Sequence, residues 1–284
     1  MSKKRYWILL VLLGVLVTLR WCYRGGGNQA PVTVDMPTVD EPADTVAATL
    51  RGGDGLDVAE VDCSKAGRTV KRDYDGYTAY YSPEWNVPRC TVYELTRGKT
   101  RGKASREGIL FRDDTAVPGS AWSSDYKDSG YTRGHMTPAG DMKWSARALE
   151  QTFFTTNICP QLAEMNENAW GDLEKKVREW ARRDEALVVI TGPVVDRRPK
   201  TIGRKHRVAV PRQFFKVVVA HRARPMRAIA FLYDHRDGDR ASISSHAVSI
   251  DSIEALTGLD LLCRLPRSTQ DTLERSPNAD RWLW

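Results

Sequence analysis

TFFTTNICPQLAEMNENAWGDLEKKVREW, residues 152–180, changes its hydrophobic period halfway along. Its opening part, FFTTNI (153–158), is aromatic and β-branched and predicts a strand. From about Asn168 to Arg183, Trp170, Leu173, Val177 and Trp180 recur at steps of three and four, which predicts a helix. Outward from this strand–helix unit, YTAYYSP (77–83) and CTVYELT (90–96) alternate as strands, with WNVPR between them as a connection. ALVVITGPVV (186–195), VAVPRQFFKVVVA (208–220) and MRAIAFLYD (226–234) read as further strands. SIDSIEALTG (249–258) reads as a short capped helix ended by Gly258. The polar, Gly/Ser-rich stretch from ILF (109–111) to about residue 133 predicts a long surface loop. Many strands with few helices predict an α+β domain, with a mixed or antiparallel central sheet and flanking helices.

Composition suits a packed domain: 41% of the 284 residues are hydrophobic, and nine tryptophans and ten tyrosines supply large core side chains. The net charge of +7 is unevenly placed. Residues 1–23 hold four cations and no acid, whereas 24–62 hold eight acids against Arg24 and Arg51. The chain from residue 63 onward therefore carries a basic excess, which suits a polyanionic partner such as nucleic acid.

MSKKR followed by YWILLVLLGVLVT predicts an N-terminal membrane anchor or signal segment over 1–23. That places the rest at the cell envelope outside the cytoplasm, or secreted or periplasmic if the segment is cleaved. Residues 24–62 are rich in Gly, Pro, Asp and Ala and hold no aromatic, so they predict a flexible tether ahead of a domain over 63–284. No CxxC pair is present, which argues against structural zinc, and in an exported protein Cys63 and Cys90 are candidates for a disulfide.

One histidine stands in SGYTRGHMTPAGDMKW (129–144), just upstream of the strand–helix unit. Arg133 precedes His135 by two, Asn157 is expected at a strand end, and Asn166 precedes the helix. Steps of four along a helix drift by only about 40°, so Asn166, Trp170, Glu174 and Arg178 form one slowly turning stripe. The plain readings are a solvated Glu174–Arg178 pair and an N-cap role for Asn166. His206, His221, His235 and His246 lie in strand or loop contexts and read as structural or surface residues.

TRGH (132–135), NICPQ (157–161) and NENAWGDLE (166–174) together resemble the signature of the DNA/RNA non-specific endonuclease family, the ββα-metal nucleases of the endonuclease G type. FRDD (111–114), SDYKDSGY (124–131), TGPV (191–194), HRVAVPRQFFKVV (206–218) and IDSIEALTGL (250–259) extend the resemblance over most of 75–265. The resemblance implies a ββα-metal active-site motif and phosphodiester hydrolysis in DNA and RNA, leaving 5′-phosphates. It implies His135 as general base and Asn166 as the ligand of one Mg²⁺, with Mn²⁺ as an alternative ion. Glu174 would hold the ion's hydration shell, Asn157 would orient the site, and Arg133 and Arg178 would contact phosphate. A further phosphate arginine is expected upstream, with Arg112 and Arg106 as candidates. Thr132 departs from the family's usual Asp, which predicts weaker Mg²⁺ binding. The alternative is a catalytically impaired fold that binds nucleic acid at the envelope, and a homodimer is open in either case.

Overall fold

The structure, a computed structural model, describes residues 56–282. The expected anchor over 1–23 lies outside the described residues. Among those described, no helix is long and apolar enough to cross a membrane.

A seven-stranded sheet forms the frame, in the order β1-β2-β3-β6-β9-β10-β11 with every neighbouring pair antiparallel. Its strands are β1 (Val70–Asp73), β2 (Thr78–Ser82), β3 (Val87–Thr96), β6 (Ala186–Val194), β9 (Gln213–Ala220), β10 (Arg227–Asp234) and β11 (Ala247–Val248). Two further pairs stand apart: β4 (Thr132–His135) with β5 (Ile158–Gln161), and β7 (Thr201–Ile202) with β8 (Val208–Ala209). Among the described residues the α-helices are α1 (Ala146–Gln151), α2 (Ala163–Glu167), α3 (Ala169–Asp184), α4 (Ile250–Thr257) and α5 (Arg267–Glu274).

Side chains alternate across a strand, so each central strand feeds two cores. Leu187 and Val189 of β6, with Phe214 and Val218 of β9, face one core together with Trp170, Leu173, Val177 and Trp180 of α3. Val188 and Ile190, with Phe215, Val217 and Val219, face the other, which α4 and α5 cover through Ile250, Ile253 and Leu273. β6 is buried along its whole length for this reason, although antiparallel sheets commonly wet one face.

Several expectations shift at this level. FFTTNI is not a strand: Thr155–Asn157 form a 3₁₀ turn, and the strand begins only at Ile158. The Asn157 amide bonds backbone groups of Thr137, twenty residues upstream, and of Thr152, and these partners hold the segment bent. The 208–220 stretch divides into β8 and β9 around Pro211, and β3 starts at Val87, inside the expected connection. The C-terminal end of the expected tether is packed: Val58 and Val61 are buried, and Asp62 bridges Asp260. Cys63 and Cys90 are free thiols. α4 runs as expected, with Ser249 capping its start and Gly258 at φ 72° ending it.

Candidate active site

β4 and β5 run antiparallel with Thr132 opposite Gln161, Gly134 opposite Cys159 and His135 opposite Ile158. Gly134 is required by this approach, because a Cβ there would lie 2.0 Å from Gln161 Oε1 and 2.7 Å from its Cβ. After β5 the chain makes the single turn of α2, breaks at Asn168 and continues as α3. Asn168, not Asn166, therefore holds the N-cap position of the long helix, and Asn166 sits inside the preceding turn. His235 secures this junction: Leu162 N–H donates to its Nε2 at 2.8 Å, and its Nδ1 lies 2.7 Å from Pro211 O. That pair of contacts fixes a neutral ring with the proton on Nδ1.

These elements enclose a cleft of about 540 Å³, lined by Arg106, Phe111, Tyr131, Thr132, Arg133, His135, Ala139, Gly140, Asn166, Glu167 and Glu174. His135 lies between the ring of Phe111, 5.3 Å away, and the edge of Phe153, 4.9 Å away. Its Nε2 is buried with no hydrogen-bond partner among the described residues. Burial, and then the Arg106 guanidinium, push the imidazole down to about 3. The ring is thus neutral at neutral pH, the form that accepts a proton.

Arg133 lines the same cleft, with one amino group donating to Ser123 O at 2.8 Å and its Nε buried without a partner. Of the two upstream arginines, Arg106 lines the cleft and Arg112 does not. Arg112 is turned away into an ion pair with Glu150 at 2.8 Å and stacks over Phe154. Arg106 is therefore the one of the two that the cleft contains.

Asn157 does not line the cleft either. Its Oδ1 accepts from Thr137 N–H at 2.8 Å, and its Nδ2 donates to Thr137 O and Thr152 O at 3.0 and 2.9 Å. Its backbone O accepts from Met136 N–H, so Asn157 clamps the two residues that follow His135. Arg178 is likewise behind the wall. It donates to Asp141 Oδ1 at 2.8 Å, the same carboxylate accepts from Tyr93 OH at 2.7 Å, and Gly140 at the cleft packs against the guanidinium. The plain Glu174–Arg178 surface pair is replaced by this Asp141 pair, and Trp170 turns into the core against Phe214 and Tyr233.

Glu174 and Asn166 do share the cleft. Burial raises the Glu174 carboxyl to about 7, opposed mainly by the ammonium of Lys216. Lys216, on β9, is buried beneath α3, where its Nζ donates to Thr191 Oγ1 at 2.7 Å and lies 4.7 Å from the Trp170 ring centre. Burial in turn lowers the Lys216 ammonium. Asn166 Nδ2 is 3.4 Å from Thr132 Oγ1, which itself donates to Gln161 O at 2.9 Å. The donor end of the carboxamide is thereby turned to Thr132, leaving its oxygen as the end for a cation. One amide oxygen with Glu174 and Glu167 nearby is a sparse, all-oxygen set, which fits a largely hydrated Mg²⁺ better than a soft metal. The one triad of carboxylates close enough to share an ion among the described residues, Asp251, Glu254 and Glu274, lies on α4 and α5 and is not part of the cleft.

Sequence reasoning missed Asp141, Lys216 and Tyr131. Asp141 follows His135 within the same quoted stretch, which was a signal; a lysine inside the apolar run QFFKVVVA was another.

Known proteins resemble the chain over most of its length. Residues 54–268 match the family described as DNA/RNA non-specific endonuclease. The mitochondrial nuclease EXOG of Mus musculus is 32% identical over 216 residues, 70% of this chain and 59% of that protein. Endonuclease G of Homo sapiens, also mitochondrial, is 32% identical over 65% of this chain and 67% of its own. The mitochondrial nuclease of Saccharomyces cerevisiae is 33% identical over 70% and 65%. The chain thus spans about three-fifths of the EXOG length. A crystal structure of an EndoG/EndoGI complex superposes with a TM-score of 0.66 at 26% identity, covering 71% of this chain and 89% of that one.

Proposed function

This chain belongs to the DNA/RNA non-specific endonuclease family, and from that premise we propose that it hydrolyses phosphodiester bonds of DNA and RNA with one divalent cation, Mg²⁺. The observation that carries the reading is that His135, Arg133, Asn166 and Glu174 open on one cleft. His135 takes the proton from the attacking water, which its neutral ring can do at neutral pH. Arg133 and Arg106 receive the scissile phosphate, where fixed guanidinium groups stabilise the growing negative charge. Asn166 would hold the ion and Glu174 would orient the waters around it. When bound, the ion supplies charge stabilisation at the phosphate and at the departing 3′ oxygen. Cleavage leaves a 5′-phosphate, and recognition through phosphates fits a lack of sequence preference.

Supercoiled plasmid incubated with the full chain and Mg²⁺ tests this. Nicking and fragmentation lost on chelation, in His135→Ala and in Asn166→Ala support the reading. Full activity in His135→Ala overturns it, and retention of plasmid without cleavage supports a binding module instead. The segment 1–23 would hold the domain at the cell envelope on the non-cytoplasmic side, which membrane fractionation and protease accessibility of intact cells read directly.

A further inference from the structure

The long loop ahead of β4 leaves an aromatic side chain in solvent. Trp122 is 38% exposed, yet its backbone is held by hydrogen bonds. Its N–H donates to Asp125 Oδ2 at 2.9 Å, and the next residue's N–H donates to Asp113 Oδ1 at 2.7 Å. Asp125 is itself buried and accepts from the N–H groups of Lys205 and His206 at 3.0 and 3.2 Å. The carboxylate therefore staples the Trp122 turn to the tip of the β7–β8 hairpin. Gly203 tightens that tip at φ 96°, where a Cβ would meet His206 O at 2.2 Å. Lys205 Nζ lies 3.0 Å from the indole centre, and the His206 ring is 5.4 Å away.

This assembly is continuous with the cleft at two points. Ser123, adjacent to Trp122, gives its carbonyl to Arg133 of the cleft at 2.8 Å. At the other end of the hairpin, Lys200 donates to the OH of Tyr131, a cleft-lining ring, at 3.2 Å. Residues 200–206, KTIGRKH, thus place one lysine on an aromatic of the cleft and another on an aromatic outside it. Cations alternating with aromatic rings along a path form the pattern that holds single-stranded nucleic acid, with phosphates on the cations and bases on the rings.

We propose that Trp122 is the platform of a nucleobase-stacking subsite, with Lys205 over one face of the indole and the His206 ring tilted beside it, that takes an unpaired base of DNA or RNA near the scissile phosphate. The inference rests on the nuclease reading for the identity of the polymer. A base inside a duplex is already stacked on its neighbours and cannot reach the indole, so the subsite favours single strands, frayed ends or unpaired positions over intact duplex.

Binding is measured with the full-length His135→Ala chain, by fluorescence anisotropy of a labelled ten-residue oligothymidine and of a labelled DNA hairpin duplex. Trp122→Leu keeps apolar bulk without a π face, and Trp122→Phe keeps a ring. A base–aromatic stack lost to Leu should weaken oligothymidine binding about 5- to 100-fold, with the hairpin affected far less. Trp122→Phe should retain most of the affinity. Equal binding by the Leu and Phe variants, or equal losses for oligothymidine and hairpin, overturns the proposal. Absence of plasmid cleavage by the wild-type chain would sink the nuclease reading alone, because the binding comparison stands without turnover.

Discussion

His135 and Glu174 line the same cleft but carry opposite protonation shifts. Burial and the Arg106 charge keep the imidazole neutral down to about pH 3, whereas burial keeps the Glu174 carboxyl protonated up to about 7. The expected acid limb of metal-dependent activity therefore involves Glu174, not the histidine: without the ion the carboxyl holds its proton up to about 7, so cation binding has to displace that proton, and at limiting Mg²⁺ activity rises with pH. Glu174→Gln should flatten that limb and lower kcat/KM roughly 10- to 100-fold. A limb of unchanged position in the Gln variant would assign it to another group. Thr132 carries a second prediction. Its hydroxyl is 3.4 Å from the Asn166 amide, so a carboxylate at 132 would add negative charge beside the expected ion position. Thr132→Asp should lower the Mg²⁺ concentration giving half-maximal cleavage, and equal metal dependence of the two proteins would refute the idea.

At the scale of elements, the β4–β5 pair and α2 set the cleft geometry, and what the sequence disclosed of them was uneven. The helical period of 168–183 was legible because Leu173, Val177 and Trp180 must face the sheet. His135, Asn166 and Glu174 were legible through their motif spacing. The turn at Thr155–Asn157 was not, because its residue types are good strand formers and only the tertiary partners of the Asn157 amide bend it. The choice between Arg106 and Arg112 was hidden for a similar reason: Glu150, which captures Arg112, is 38 positions downstream. Gly134 shows how tightly the pair is made. Gly134→Ala places a methyl against the Cβ of buried Gln161, and relief requires the strands to part. Overpacking of this kind typically costs about 1–3 kcal/mol. The variant should melt at lower temperature and lose activity by more than its folded fraction explains, since His135 is the next residue on the strand. Thermal melting alongside kcat at a temperature where the variant is folded tests this, and wild-type values of both would exclude a tight β4–β5 approach.

The two faces of the sheet serve different ends in the whole molecule, and this gives the fold a stability dependence on pH separate from activity. The cleft lies on the α3 face, whereas Glu254 and Glu274 lie on the two helices of the other face. Burial, with neighbouring acids adding to it, raises Glu254 to about 7 and Glu274 to about 8. A carboxyl whose folded pKa is raised binds its proton more tightly in the native state. Its stabilising contribution is full below the ordinary carboxylate range and is lost as pH rises through about 7–8. His135 works in the other direction: with its folded pKa lowered, its contribution is full above the ordinary histidine range and is lost as pH falls toward about 3. Stability should therefore decline on the alkaline side for reasons located on α4 and α5. Glu274 is also the last residue of α5, where the negative end of the helix dipole opposes ionisation. Glu274→Gln, which keeps the shape and removes the titration, should raise Tm relative to wild type at pH 8.5 and change it little at pH 5.5. Melting curves at the two pH values decide the matter, since a Tm shift of the same size at both would mean that the side chain acts through packing and not through its charge.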